Sequence, residues 1–174
     1  MVILITGATH TGKTRLAQKL MEQRQIPYLS QDHLKMGLIR SGYTSLTPED
    51  SDETLTEYLW PVTREIVKTA IENRQDLIIE GCYIPFAWRS DFDEEYLREI
   101  RFLCICFADR YIDAHYADIL RNEACIEART DDGYCTVELL KKENRRFRDG
   151  CAAEGLPYVL VEDDYERRME EIIF

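Results

Sequence analysis

Apolar residues in this chain fall into two alternating patterns. Short unbroken runs occupy 2–5, 27–29, 77–79, 102–107 and 158–161. Between them, apolar positions recur at helical spacing. Leu16, Ala17, Leu20 and Met21 form one such face. Leu55, Tyr58, Leu59, Val62, Ile66, Val67, Ala70 and Ile71 form a longer one, and Tyr111, Ile112, His115, Tyr116, Ile119 and Leu120 a third. Val137, Leu140, Phe147 and Cys151 mark a fourth, and a charged helix is expected over 165–174. Strands alternating with helices predict βαβ units and a parallel sheet covered on both faces. The runs at 2, 77 and 102 are apolar throughout, as central parallel strands are. Pro27 and Pro157 lead the other two runs. Proline donates nothing to a ladder, which assigns those strands to the rims.

Local signals refine the helices. A short helix is expected over 33–40, ended by Ser41-Gly42. Thr47-Pro48-Glu49-Asp50 reads as a helix start, with a capping Thr, Pro at the first helical position and acids in the first turn. Pro61 lies inside the long pattern that follows and is expected to kink or split it. The polar stretch 128–133 breaks the pattern before a helix that starts near Thr136. No repeat or linker divides the 174 residues, so one domain spanning 1–174 is expected.

Charge and cysteine usage narrow the possible partners. The 22 Lys+Arg against 33 Asp+Glu give a net charge of −11. That balance argues against general binding to nucleic acid or an anionic membrane, both of which need a basic footprint. No apolar run approaches a membrane span. The six cysteines form no C-x-x-C and no zinc-spaced cluster, and Cys104 and Cys106 sit inside an apolar run as small core residues. Reduced thiols and a cytoplasmic location are the expectation. The oligomeric state, monomer or dimer, is left open.

Chemistry enters at residues 7–14, Gly7-Ala8-Thr9-His10-Thr11-Gly12-Lys13-Thr14. This is G-x-x-x-x-G-K-T, a phosphate-binding loop, placed between an apolar strand and an amphipathic helix as that motif requires. Gly7 and Gly12 let the backbone turn where a side chain would block a phosphate. Loop N–H groups and the helix N-terminus then face the anion. Lys13 is the candidate for the β- and γ-phosphates, and Thr14 for Mg²⁺. Thr9, His10, Thr11 and Arg15 complete the expected surroundings of a nucleoside triphosphate.

Ligands of such sheets bind beyond the carboxyl ends of the strands. Two acids fall there. Asp32 follows the second strand, and Glu80 ends the third in Leu77-Ile78-Ile79-Glu80. Asp32 is either an N-cap or a base that accepts the proton of an attacking hydroxyl. Glu80 is either a solvated strand end or a carboxylate that holds a Mg²⁺ water or positions an acceptor. His10 and His33 are either phosphate or substrate contacts, or ordinary solvated or packed side chains.

The loop, Asp32, Glu80-Gly81 and the later arginines together resemble the small P-loop kinases: adenylate, shikimate, gluconate and 2-phosphoglycerate kinases and their relatives among predicted zeta-toxin-like kinases. The resemblance implies a three-layer α/β/α fold with a five-stranded parallel sheet in the order 2-3-1-4-5. It implies ATP, Mg²⁺ and phosphoryl transfer to a small-molecule hydroxyl or phosphorylated metabolite. Alternatives are a nucleoside monophosphate kinase and a nucleotide-binding protein without turnover. Ser30-Gln31-Asp32-His33-Leu34-Lys35 looks like the start of an acceptor region over about 33–60, where Lys35 and Arg40 would meet an acceptor phosphate. Glu80-Gly81-Cys82-Tyr83-Ile84-Pro85 resembles the E-G-x-H-x-x-P run of 2-phosphoglycerate kinases, with Tyr83 in place of His. No arginine directly follows Pro85; Arg89 comes later. A lid over about 121–133 would close on the triphosphate through Arg121 and Arg129. Lys141, Arg145 and Arg148 form a stripe on the following helix, either a solvated face or a cationic wall of the cleft.

Overall fold

The computed structural model describes residues 1–121, 135–172 and 174. Strands β1 (Val2–Gly7), β2 (Tyr28–Ser30), β3 (Leu77–Glu80), β4 (Ile100–Phe107) and β5 (Tyr158–Val161) form one parallel sheet in the order β2-β3-β1-β4-β5. The proline-led strands are the two edges, as their missing donors require. Central β1 is buried at every residue and pairs with β3 on one side and β4 on the other. The chain order reverses at β1, so the crevice beyond its carboxyl end is where a ligand enters such a sheet.

Alternate side chains of the strands feed two cores. Val2, Leu4, Ile79, Cys104 and Cys106 point to one face, under helices α3 (Asp52–Glu72) and α6 (Val137–Ala153). Ile3, Ile5, Ile78, Leu103 and Ile105 point to the other, under α1 (Lys13–Arg24) and α5 (Asp109–Arg121). Both faces are covered, which is why the central strands are apolar throughout. A third, smaller core of Leu55, Leu59 and Tyr83, with Leu34 and Leu38 against it, joins α3 to α2 (Gln31–Arg40). Among the described residues the remaining helices are a 3₁₀ turn at Trp88–Asp91, α4 (Glu94–Glu99) and α7 (Tyr165–Glu170).

Several local expectations need correction. Thr47-Pro48-Glu49-Asp50 does not start a helix. Asp50 folds back so that its carboxylate accepts from the Thr47 N–H at 2.6 Å and hydroxyl at 3.1 Å. Helix α3 begins at Asp52, where Ser51 accepts from the Thr54 N–H. The acids Asp52 and Glu53 then occupy the first turn. Pro61 does not divide α3, which runs unbroken for 21 residues. Pro61 is exposed, so water can replace the donor it lacks. The buried face of α3 includes Trp60 and Thr63, whereas Val62 is exposed. The last helix ends at Glu170, and the tail folds back through Ile172 and Phe174 onto the second core.

Candidate active site

The turn between β1 and α1 is held by contacts that only glycine permits. Gly7 has φ +144°, and a Cβ there would lie 2.3 Å from the Ile105 carbonyl oxygen of β4. Gly12 has φ +82°, and a Cβ there would lie 2.0 Å from the Tyr165 hydroxyl. Thr11 is fully buried and donates to the Ala8 carbonyl at 2.8 Å. The Lys13 ammonium donates to the same carbonyl, also at 2.8 Å. Helix α1 has no capping side chain and no acid in its first turn. Its first N–H groups and its positive dipole end are therefore left for an anion. Arg15 turns the other way, pairing with Glu166 at 2.7 Å and lying over the Tyr165 ring.

The other side of the candidate site begins where β2 runs directly into α2. Ser30 occupies the N-cap position, so Asp32 stands inside the first turn and is not the cap. Its carboxylate lies 2.8 Å from the Lys35 ammonium. Lys35 also donates to the Tyr83 hydroxyl at 2.7 Å. Burial, reinforced by the charges of Asp32 and Asp52 and by Cys82, pushes the Tyr83 phenol up, so it stays neutral. Burial likewise pushes the Cys82 thiol up to about 11, despite the nearby Lys13 charge.

Gln31 fixes the loop after β3. It is fully buried. Its amide oxygen accepts from the Tyr83 N–H at 3.0 Å, and its amide nitrogen donates to the Tyr83 carbonyl and the Thr63 hydroxyl at 3.2 and 3.1 Å. Gly81 passes so close to this side chain that a Cβ would lie 2.4 Å from the Gln31 oxygen. Glu80 ends β3, 2% exposed, in register with Ile5 on one side and Ser30 on the other.

Between these elements and α6 lies a cleft of about 640 Å³. Thr9 of the loop, Asp32, Lys35, Cys82 and Tyr83 line one side, and Lys142, Glu143, Arg146 and Phe147 of α6 the other. Asn144 anchors α6 by accepting the Phe107 N–H at the end of β4, at 2.7 Å. Arg146 spans from α6 to α3, bonding Asp52 at 3.1 Å and Glu143 at 2.9 Å. Burial raises the Asp52 carboxyl, and the Arg146 charge opposes that shift.

The structure thus gathers Thr9, Asp32, Lys35 and Tyr83 into one cleft, with Lys13 near enough for its charge to act on Cys82 in the same lining. Arg40 is exposed at the far end of α2 and does not line the cleft. Arg121 is exposed and paired with Asp118 at 2.9 Å. Arg129 and almost all of the expected lid lie outside the described residues. The stripe on α6 faces α5 instead of the cleft: Lys141 meets Asp113 at 2.5 Å, and Arg145 meets Asp109. Arg89 lies near the amino ends of β4 and β5, in a groove with Ile100 and Tyr158, at the opposite edge of the sheet. The sequence pattern did not single out Gln31, Asp52, Lys142, Glu143 or Arg146. For Glu143 and Arg146, an i,i+3 pair of opposite charges beside the apolar face of α6 was the available signal. Nothing in the sequence named their partner on α3.

No family profile matches this sequence, and no curated protein matches it. Solved structures do. A deoxyadenosine kinase from M. mycoides matches with a TM-score of 0.59 and 13% identity, over 98% of this chain and 95% of that one. A gluconokinase from Sinorhizobium meliloti matches at 0.56 and 15%, over 98% and 87%. A shikimate kinase from Aquifex aeolicus matches at 0.51 and 16%, over 98% and 92%. The chain has the fold of the small P-loop kinases, with the sheet order that the resemblance implied.

Proposed function

We propose that this protein is a small-molecule kinase that uses ATP and Mg²⁺ to phosphorylate a hydroxyl of an acceptor held in the cleft between α2, α3 and α6. The observation that carries the proposal is that Thr9 of the phosphate loop and the Asp32 carboxylate line one cleft.

The loop suits a triphosphate. Its two glycines stand where side chains would clash, the helix behind it is uncapped, and Lys13 rests on the loop's own Ala8 carbonyl. Lys13 leaves that carbonyl to contact the β- and γ-phosphates and offset the charge that develops on the transferred group. Thr14 and Glu80 offer the oxygen donors that Mg²⁺ prefers, directly or through water. Mg²⁺ supplies charge neutralisation across the phosphates. Asp32, held in place by Lys35, accepts the proton of the acceptor hydroxyl as its oxygen bonds to the γ-phosphorus and ADP departs. The absence of an arginine after Pro85, with Arg89 at the other edge of the sheet, removes support from the nucleoside monophosphate reading.

The test is acceptor-dependent ADP release across a panel of small hydroxyl compounds, with Lys13→Ala and Asp32→Asn beside the wild type. The wild type is expected to turn over at least one acceptor and Lys13→Ala none. An Asp32→Asn variant with near-normal turnover would rule out the base role. A wild type inactive with every acceptor would rule out the kinase.

A further inference from the structure

The described lining of the cleft carries three cations, yet two of them are held by acids of that lining. Lys35 is held by Asp32 and by the Tyr83 hydroxyl. Arg146 is held by Asp52 and Glu143, with Glu53 at 3.8 Å. Lys142 is exposed, and its charge acts on the neighbouring Glu53, whose carboxyl is lowered first by hydrogen bonding and then in part by Arg146 and Lys142. Among the described residues the cleft lining thus has four carboxylates against three cations. A carboxylate or phosphate entering it would have to displace an acid from Lys35 or Arg146 and leave that acid beside its own charge. A hydroxyl or ammonium group meets carboxylate oxygens that can accept from it.

On the reading that this cleft binds a kinase acceptor, we infer that the acceptor is an uncharged or cationic hydroxyl compound, of the polyol, sugar or amino sugar class, and not a hydroxy acid or a sugar phosphate. Asp32, Asp52 and Glu53 are the groups that select it. The Asp52–Arg146 pair bridges α3 and α6 across the cleft and keeps Arg146 from serving as an anion clamp.

Two measurements test this. In the first, kcat/KM is compared for matched acceptors of one carbon skeleton: glucose and sorbitol, glucosamine, gluconate, and glucose 6-phosphate. Neutral and aminated members are expected to exceed the anionic ones by about tenfold or more. If gluconate or glucose 6-phosphate ranks first in a Lys13-dependent reaction, the inference is overturned while the kinase reading stands. If no member is phosphorylated, the kinase reading loses its support and the inference rests on the second measurement alone. There, the triphosphate site is filled with a non-hydrolysable ATP analogue and glucose 6-phosphate is titrated calorimetrically. Wild type is expected to bind it only weakly. Asp52→Asn combined with Glu143→Gln, which frees Arg146, is expected to gain about tenfold in affinity. Glu143→Gln alone leaves the first turn of α3 intact and serves if the double variant does not fold. Tight binding by wild type, or no gain in a folded variant, overturns the inference.

Discussion

At the scale of single residues, two left-handed glycines separate backbone strain from site geometry. Gly12 and Gly42 have φ +82° and +76°, but a Cβ at Gly42 meets nothing within 4 Å, whereas one at Gly12 meets Tyr165. Alanine at either position adopts a left-handed backbone at a cost of about 1–2 kcal/mol. Gly42→Ala is expected to lower stability by that amount and leave ATP affinity unchanged. Gly12→Ala must also displace Tyr165 or the loop, and is expected to weaken ATP binding by more than tenfold, a loss of over ~1.4 kcal/mol. Calorimetric ATP titrations beside thermal melts check this, and equal effects of the two variants would contradict it. Cys82 makes a second residue-scale prediction. Its folded pKa, about 11, lies above the usual thiol value of 9.0 because burial disfavours the thiolate. The folded state therefore binds a proton more tightly than the unfolded chain does. Stability is unaffected by this group below pH 9 and falls as pH rises from 9 towards 11. Cys82→Ala is expected to flatten that fall in denaturant midpoints at pH 8 and 10.5, and to leave the value at pH 8 changed only by its packing.

At the scale of elements, Gln31 links the start of α2, the middle of α3 and the loop after β3. Truncation to Ala strands the buried Tyr83 N–H, which costs about 1–3 kcal/mol. The loop from Glu80 to Tyr83 then loses the two hydrogen bonds of the Gln31 amide to Tyr83, and neither these nor the third, to Thr63, reaches the Gly7–Thr14 loop. Gln31→Ala is expected to reduce acceptor kcat/KM by tenfold or more and ATP affinity by less than about threefold, energies of ~1.4 and ~0.7 kcal/mol. Steady-state kinetics with both substrates varied would show it, and an equal loss for both would refute the partition. The same scale explains how much was legible beforehand. The central and edge strands followed from continuous apolar runs and two prolines, and the full sheet order from the resemblance, while the G-x-x-x-x-G-K-T motif stood out because its residues are adjacent in sequence. The α3 start was misplaced because Thr47-Pro48-Glu49-Asp50 and Ser51 both carry capping chemistry, and Asp50 closing on Thr47 decided between them. Helix α4 passed unnoticed although Asp93 precedes two acids and Arg98 lies in its last turn. Its six residues are too few for periodicity to register. Arg146 meets Asp52 across 94 residues of chain, a contact made by tertiary packing that no local pattern encodes.

At the scale of the molecule, the Gly7–Thr14 loop is where the main layers meet. Gly7 ends the central strand and touches β4 at Ile105, Gly12 meets Tyr165 of α7, and Lys13 opens α1 against the sheet. An anion seated on the loop therefore touches groups that only the assembled fold brings together, and the unfolded chain has no comparable site. Such a ligand stabilises the native state by mass action, by about 2.7 kcal/mol at a hundredfold excess over its Kd. For a domain of this size that corresponds to a rise in Tm of roughly 5–11 °C. The net charge of −11 works against any anion in general, so a gain of this size needs convergent local donors and not bulk attraction. MgATP at saturating concentration is expected to raise Tm by that amount in wild type and by under ~2 °C, within the effect of less than 1 kcal/mol, in Lys13→Ala. Inorganic phosphate, which spans less of the loop, should give a smaller rise. A full shift retained in Lys13→Ala would place the nucleotide elsewhere on the molecule, and no shift in the wild type would mean that the loop is not a triphosphate site.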